Sequence, residues 1–456
     1  MQKHSLSLCL IMRDEEEIIG RTLKSVLSHV DEVVAVDFES HDNTRLIVEG
    51  YGARVVDGSF GDDYARARNA GVAAAYGDWI LVLDPGEVLE QVRPVDLGRL
   101  LADPDALAYY CRVRREDRSG AKLVRDELRL FRNLPRLRYR QSICEQIEPS
   151  LDEISRESGG ECLPSSLKVR SAFQGDKVAT ERLRLLRQAV HEAPAEAWLR
   201  YQLARHLARE DGGEISAVRG FSQVMRQAQQ AVQLLEQLDE EALDSVRWGG
   251  GLYALLSKVL RTVDRPEEAL EIVERGLERH GESSPLRFEH GAALLLCAGE
   301  AKKGARLRDL ARRQFESLLD GPERIEVAEI HESYFQRLPR IWLGNCALAE
   351  NSLEEARNYF RRALEENPKE PAAWHGLARA AELESRDYDA LQLYLKAMEQ
   401  EPAHGGSWEG GIEVLARLGF VDNALSWLRR LTVLLPENPH LTRLSTQLSA
   451  EVAAEV

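Results

Sequence analysis

The chain has 456 residues, 44% of them hydrophobic and 30% charged, which describes folded protein in water and exceeds what one ordinary core occupies, so two or three domains are expected. A formal net charge of −16 argues against nucleic acid or an anionic membrane as the main partner, because phosphate backbones demand clustered lysine and arginine. The six cysteines, Cys9, Cys111, Cys144, Cys162, Cys297 and Cys346, stand far apart with no C-x-x-C pair, which suits reduced, mostly buried thiols in a cytoplasmic protein.

Residues 5–12 form an apolar run followed at once by Arg13 and a set of acids, with no small-residue cleavage site, so they read as a first strand rather than a signal peptide. No uncharged apolar stretch approaches the roughly 18 residues needed to span a bilayer. Ile18, Ile19, Thr22, Leu23, Val26 and Leu27 then repeat at helical spacing. Residues 33–36 are a second strand ending at Asp37. Ser40, His41, Asp42, Asn43 and Thr44 offer cap-type residues before a short helix, 53–56 is a third strand, and 62–76 is an alanine-rich helix with Gly77 as its expected C-cap. Trp79, Ile80, Leu81, Val82 and Leu83 form a fourth buried strand that stops at Asp84-Pro85-Gly86-Glu87. Strands alternating with helices imply parallel pairing with right-handed crossovers, which sets Asp37 and Asp84 on one edge of one sheet. In open α/β sheets that edge is where ligands bind.

Four ordered blocks within residues 5–87 carry a family resemblance. They are 7–16 (Ser-Leu-Cys-Leu-Ile-Met-Arg-Asp-Glu-Glu), 33–37 followed by 40–44, Phe60 with 63–69 (Asp-Tyr-Ala-Arg-Ala-Arg-Asn), and 77–84. Together they resemble the donor-binding half of family 2 glycosyltransferases with the GT-A fold. The resemblance implies an α/β nucleotide-sugar-binding domain with a mostly parallel sheet. It also implies that Asp37 reads the base of a uridine nucleotide, with Asp42 and Arg68 beside the donor, and that Asp84 lies at the sugar-phosphate as the first acid of a D-x-D motif. Such residue types are wanted because a leaving nucleoside diphosphate gathers negative charge, which a divalent cation or an Arg/Lys clamp stabilises. Here the second acid of the motif is Gly86, so binding of Mn²⁺ or Mg²⁺ would rest on Asp84 with Glu87; the other reading makes Glu87 a solvated turn residue.

Beyond Glu87, residues 106–113 are strand-like, 117–120 read as a turn and 125–132 as a further strand. Residues 128–133 and 142–147 again resemble the TPR-bearing branch of this family, where Cys144 replaces a histidine and Glu145 is retained. Glu145 is therefore the candidate base, with Arg129 among the donor-binding residues; the competing reading pairs Glu145 with Arg129 or Arg132 across strands. Cys144 reads as a small buried residue rather than a nucleophile. Relatives tend to carry His-x-Gly-Tyr where this chain has Val169 to Gly175, a further departure.

From about residue 176 the pattern is helical to the end, and a repeat is legible within it. Ala356, Ala390 and Ala424 lie 34 residues apart, as do Pro368, Pro402 and Pro436, with Trp374/Trp408 and Phe360/Tyr394/Leu428 on the same offset. This is the tetratricopeptide pattern, giving repeats at 337–370, 371–404 and 405–438, looser ones near 250–283 and from Trp198, and an off-register helical stretch over 281–322. The expected organisation is a GT-A domain over 1–175, a helical linker with degenerate repeats over 176–336, an all-α TPR solenoid over 337–438, and a capping helix and frayed tail over 439–456. The resemblance to bacteriocin S-glycosyltransferases, which join the same two modules, implies a nucleotide-sugar donor and a protein or peptide acceptor held in the TPR groove. An inverting transfer and a possible homodimer complete the expectation. The alternative is a weakened transferase kept as a nucleotide-binding or interaction scaffold.

Overall fold

The computed structural model describes residues 4–116, 122–171, 175–210, 218–299, 302–319, 321, 325–327, 330–435, 441–446 and 448. Each apolar run of the first 85 residues becomes the element its period demands. Strands β1 (Leu6–Met12), β2 (Glu32–Asp37), β3 (Arg54–Asp57) and β4 (Trp79–Val82) alternate with helices α1 (Ile19–Val26), α2 (Thr44–Gly50) and α3 (Tyr64–Ala74). The four strands pair in parallel in the order β3-β2-β1-β4, with β1 and β4 buried along their whole length, as strands covered by helices on both faces must be. Helix α1 lays Ile19, Leu23 and Val26 into one core with Trp79 and Leu81, while Ala65 and Val72 of α3 join Ile80 and Val82 on the other face.

The sheet continues through strands of both senses, β7 and β5 running against the first four and β6 and β8 with them. After β5 (Glu87–Leu89) and α4 (Pro94–Ala102), the long strands β6 (Ala106–Glu116) and β7 (Lys122–Arg132) pair antiparallel, and β7 also pairs antiparallel with β4. Helix α5 (Glu148–Ser158) leads to β8 (Glu161–Ser171), which pairs parallel with β6 and antiparallel with β5. The sheet is thus parallel in its first four strands and mixed beyond. The turn expected at 117–120 lies outside the described residues. Gly77 is not the cap of α3, which ends at Ala74; a Cβ at 77 would run into Ser7, so its glycine serves close approach to β1.

All later elements are helical except the two-residue β9 (Ile330–His331), which pairs with β7. They are α6 (Gly175–Glu192), α7 (Ala197–Glu210), α8 (Val218–Leu235), α9 (Glu240–Asp244), α10 (Gly249–Thr262), α11 (Pro266–His280), α12 (Ser284–Cys297), α13 (Lys302–Leu319), α14 (Arg337–Ala349), α15 (Leu353–Glu366), α16 (Pro371–Leu383), α17 (Asp387–Gln400), α18 (Gly405–Arg417) and α19 (Val421–Leu434). The chain divides into two compact units, the first holding the sheet and α6 to α10, the second α14 to α19 with most of α12 and α13.

In the second unit the three 34-residue repeats are the helix pairs α14/α15, α16/α17 and α18/α19. Ala356, Ala390 and Ala424 are fully buried, as are Phe360 and Tyr394. Gly344 and Gly376 leave room for the Phe360 ring and Gly410 for that of Tyr394, since a Cβ at any of them would overlap the aromatic. Trp374 and Trp408 donate their indole N–H to the carbonyls of Pro368 and Pro402, at 3.0 and 2.8 Å, which repeats one cap geometry at the repeat offset. Pro436 and the tail over 449–456 lie outside the described residues.

Candidate functional site

Strand register brings Asp37 and Asp84 to one edge. Met12 of β1 stands opposite Asp37, and Cys9 opposite Val82, which carries Asp84 to the level of Ile11. Two strand spacings, about 10 Å, separate the two acids. Asp37 is buried; its Oδ1 accepts a hydrogen bond from Ser40 N at 3.0 Å and its Oδ2 lies 3.8 Å from Arg45. Asp42 accepts from Thr44 N and Glu16 N at 2.9 and 3.0 Å, so it braces the loop before α2. Phe38, Phe60 and Tyr64 stack beside this loop, with centroids 5.2 to 5.8 Å apart.

The turn after β4 explains the glycine in the acidic motif. Asp84 O accepts from Glu87 N at 3.0 Å with Pro85 and Gly86 between them, and Gly86 has φ +85°, the residue type and conformation of a type II turn. A Cβ at 86 would point at Ile18, 3.2 Å away. The turn therefore gives up a second acid and folds Glu87 inward.

Glu87 is 1% exposed and is not the solvated turn residue of the alternative reading. Its Oε1 accepts from Arg129 at 2.9 Å and its Oε2 accepts from Asp84 N at 2.9 Å. Burial pushes its carboxyl above the usual range, against the pull of Arg129. Asp84 receives Arg68 Nη2 at 2.6 Å on Oδ1 and faces Arg129 Nη1 at 3.7 Å from Oδ2. Although burial opposes it, these two guanidinium groups hold the Asp84 carboxyl well below the ordinary range. Arg68 also donates Nε to Glu145 Oε1 at 2.6 Å, so one arginine joins both candidate catalytic acids. Glu145 does not pair with Arg129 or Arg132 among the described contacts. Arg132 instead lies over the Trp79 ring, 4.7 Å from its centroid, and donates to the carbonyls of Ala106 and Asp103.

Glu145 sits on a loop closed by two backbone hydrogen bonds between Arg140 and Gln146, at 2.8 and 2.9 Å. Within it Gln141 and Cys144 adopt left-handed φ of 70° and 54°, strain that persists only where surroundings impose it. Tyr64 N donates to Ser142 O at 2.8 Å, Trp198 Nε1 to Cys144 O at 2.7 Å, and Asn69 holds the Tyr139 backbone at both N and O. The loop is thus pinned by α3 and by α7, which fixes Glu145 against Arg68.

Several residues around this core have no motif to announce them. Arg125, Glu127 and Arg129 alternate along β7 and so share a face; Glu127 accepts from Arg129 at 2.8 Å and pairs with Arg125 and, at 3.4 Å, with Arg115. Their charge holds Glu127 low in spite of burial. Arg182 of α6 donates to Cys144 Sγ at 3.4 Å. Glu15, after β1, is pushed up to about 7 by burial and by Asp42, Asp84 and Asp14. The period-two alternation at 125, 127 and 129 could have found the strand residues; nothing local marks Arg182.

The residues present do not fit a divalent cation held by Asp84 and Glu87. Both Glu87 oxygens are engaged by Arg129 and the Asp84 amide, both Asp84 oxygens face guanidinium groups, and position 86 offers no carboxylate. Among the described residues no group of three or more His, Cys, Asp or Glu is placed to hold a metal. Where the resemblance implied a cation between Asp84 and Glu87, a buried arginine, Arg129, faces both acids in this structure.

Acids at parallel strand tips in the first unit and paired helices in the second make this an α/β domain joined in sequence to a repeat array. Residues 7–148 match the model of Glycosyl transferase family 2, and residues 339–380 match a Tetratricopeptide repeat model. A TPR repeat-containing protein of Synechococcus elongatus is 41% identical over 147 residues, covering 32% of this chain and 36% of that protein. An uncharacterized glycosyltransferase of Rickettsia felis is 35% identical over 111 residues, covering 24% of this chain and 39% of that protein. The chain thus spans under two fifths of the length of these relatives. Among solved structures, PilW, a type IV pilus biogenesis factor, is similar at 18% identity and a TM-score of 0.37, covering 54% of this chain and 97% of PilW. The N-terminal domain is a family 2 glycosyl transferase domain, and tetratricopeptide repeats follow it. Among the described residues no helix is long and apolar enough to cross a membrane.

Proposed function

We propose that the chain transfers a sugar from a nucleotide diphosphate-sugar, a UDP-sugar first of all, to a protein or peptide acceptor engaged by the tetratricopeptide helices. The observation that carries the reading is the meeting of Asp84 and Glu145 on the single guanidinium of Arg68, 2.6 Å from each, at the ligand-binding edge of the parallel strands. In this reading Asp37 receives the base, and the diphosphate lies between Asp84 and the arginines. The acceptor's nucleophile attacks the anomeric carbon, the bond to the nucleotide's terminal phosphate oxygen breaks, and Glu145 takes the acceptor proton. Arg68 has two tasks. It holds the Glu145 side chain in place through Nε, and it is positioned to meet the charge that gathers on the departing diphosphate.

The test is a panel of UDP-, GDP- and dTDP-sugars followed by thermal shift and by slow hydrolysis. One donor should raise the melting temperature of the N-terminal transition and be hydrolysed, and Glu145→Gln should bind that donor while losing turnover. Stabilisation by none of them refutes the reading.

A further inference from the structure

Arg182 enters the site from α6, outside the region matched to the transferase model. Among the described residues its one hydrogen bond is to the thiol of Cys144, at 3.4 Å, and no carboxylate pairs with it, although Asp84 and Glu145 are near enough for their charge to act on it. Arg182 is half-buried, its direct partner is a thiol and the two acids act on it only from a distance, so most of its donors are open to an anion. Its neighbours sharpen the point. Arg205 of α7 lies close to both Arg182 and Arg125, and burial together with those two cations lowers its affinity for a proton. Arg68 and Arg129 already face the two oxygens of Asp84, at 2.6 and 3.7 Å.

We propose that the donor's diphosphate is held by the guanidinium groups of Arg68, Arg129 and Arg182, and that its binding requires no divalent cation. This inference rests on the reading of the domain as a sugar-nucleotide transferase and adds what neutralises the donor. Each phosphoryl group of a nucleotide diphosphate carries negative charge, and planar guanidinium forks match phosphate oxygens two at a time. Arg68 contacts the two acids through Nε and Nη2, and no hydrogen bond among the described residues uses Nη1, which is left for a phosphate oxygen. Arg182 contributes donors that no carboxylate engages directly among the described residues. The helices after the sheet are then part of the donor site, not only a bridge to the repeats.

The test is calorimetric titration of the full chain with UDP, GDP and dTDP, in EDTA and again with MnCl₂, followed by the nucleoside monophosphate of the nucleotide that binds best. In the wild-type protein the dissociation constant should change less than about threefold between EDTA and Mn²⁺, and the diphosphate should bind at least about tenfold tighter than the monophosphate. Arg182→Gln should remove most of that diphosphate advantage while leaving the monophosphate's affinity in place, which also shows that the variant is folded; Arg182→Lys should fall between. Binding that disappears in EDTA and returns with Mn²⁺ overturns the proposal and leaves the transferase reading standing. An unchanged diphosphate advantage in Arg182→Gln also overturns it. If none of the three nucleotides binds under either condition, both fall together.

Discussion

Removing Arg129 tests whether the site is held together by charge. Its guanidinium stands 2.9 Å from Glu87, 2.8 Å from Glu127 and 3.7 Å from Asp84, and all three acids depend on it for part of their counter-charge. Arg129→Met keeps the apolar stem and leaves Glu87 buried with a distant Arg115, 3.7 Å away, as its remaining cation. Breaking a buried pair from one side costs about 3–5 kcal/mol, whereas a neutral partner removes most of that penalty. Arg129→Met should therefore lower the opening free energy of β4 and β7 by about 3 kcal/mol, roughly a hundredfold in hydrogen-exchange protection. Glu87→Gln alone, which can still accept from the Asp84 amide, should cost about 1 kcal/mol. The double variant should be less destabilised than the sum of the two by about 1–3 kcal/mol. Peptide-resolved hydrogen exchange over residues 79–89 and 122–132 of the full chain reads the effect where it occurs. If the two substitutions add to within about 0.5 kcal/mol, Arg129 and Glu87 are not coupled and the charge argument fails.

Glu15 carries a pH signature. Its folded pKa, about 7, lies above the ordinary 4.5, so the folded state holds a proton that the unfolded chain releases. The stability it allows is full below the ordinary value and falls as pH rises through about 7. Glu15→Gln should accordingly stabilise the domain by about 1 kcal/mol at pH 8, after solvent screening, and not at pH 4, as read by melting at both; a pH-independent difference contradicts the assignment. In the repeats, Gly376→Ala should cost about 1–3 kcal/mol by forcing a methyl into the Phe360 ring, and Phe360→Leu in the same chain should recover part of it; denaturant melts of the single and double variants decide. Gly86→Asp, which restores the second motif acid, should destabilise by about 1 kcal/mol and confer no Mn²⁺ binding in calorimetry, because φ is +85° and Ile18 occupies the space; tight Mn²⁺ binding would refute that geometry. Cys9, Cys111 and Cys346, with thiols pushed up to about 12 chiefly by burial, should resist alkylation in the native protein; rapid labelling of any of them would show that its core opens.

What could be read in advance follows from the range of the interactions that shape each part. Periodicity is local, so β1 to β4 and the 34-residue repeats are visible in the residues themselves, and a parallel arrangement then carries Asp37 and Asp84 to one edge. Strand β8 is less visible. Pro164, Ser165 and Ser166 interrupt its first half, where its register against β6 shifts, and only Leu167, Val169 and Ser171 show the inward alternation. The partners of the acidic residues are long-range and left no local trace. Arg68 and Glu145 are 77 residues apart, and Arg182 and Cys144 are 38 apart on different elements. Residue types at the motif positions suggested a metal pair, whereas the fold turned Glu87 inward onto an arginine contributed by a strand 42 residues later.

The central claim is that the tips of β2 and β4, the start of α3 and the Glu145 loop form one binding edge for a sugar nucleotide. The most direct measurement is hydrogen exchange of the full chain with and without the nucleotide that binds best. Protection should rise together over residues 37–44, 64–69, 84–87 and 141–147. Binding that protects only the helices of residues 337–434, or that leaves the segment around Asp84 unchanged, would contradict it.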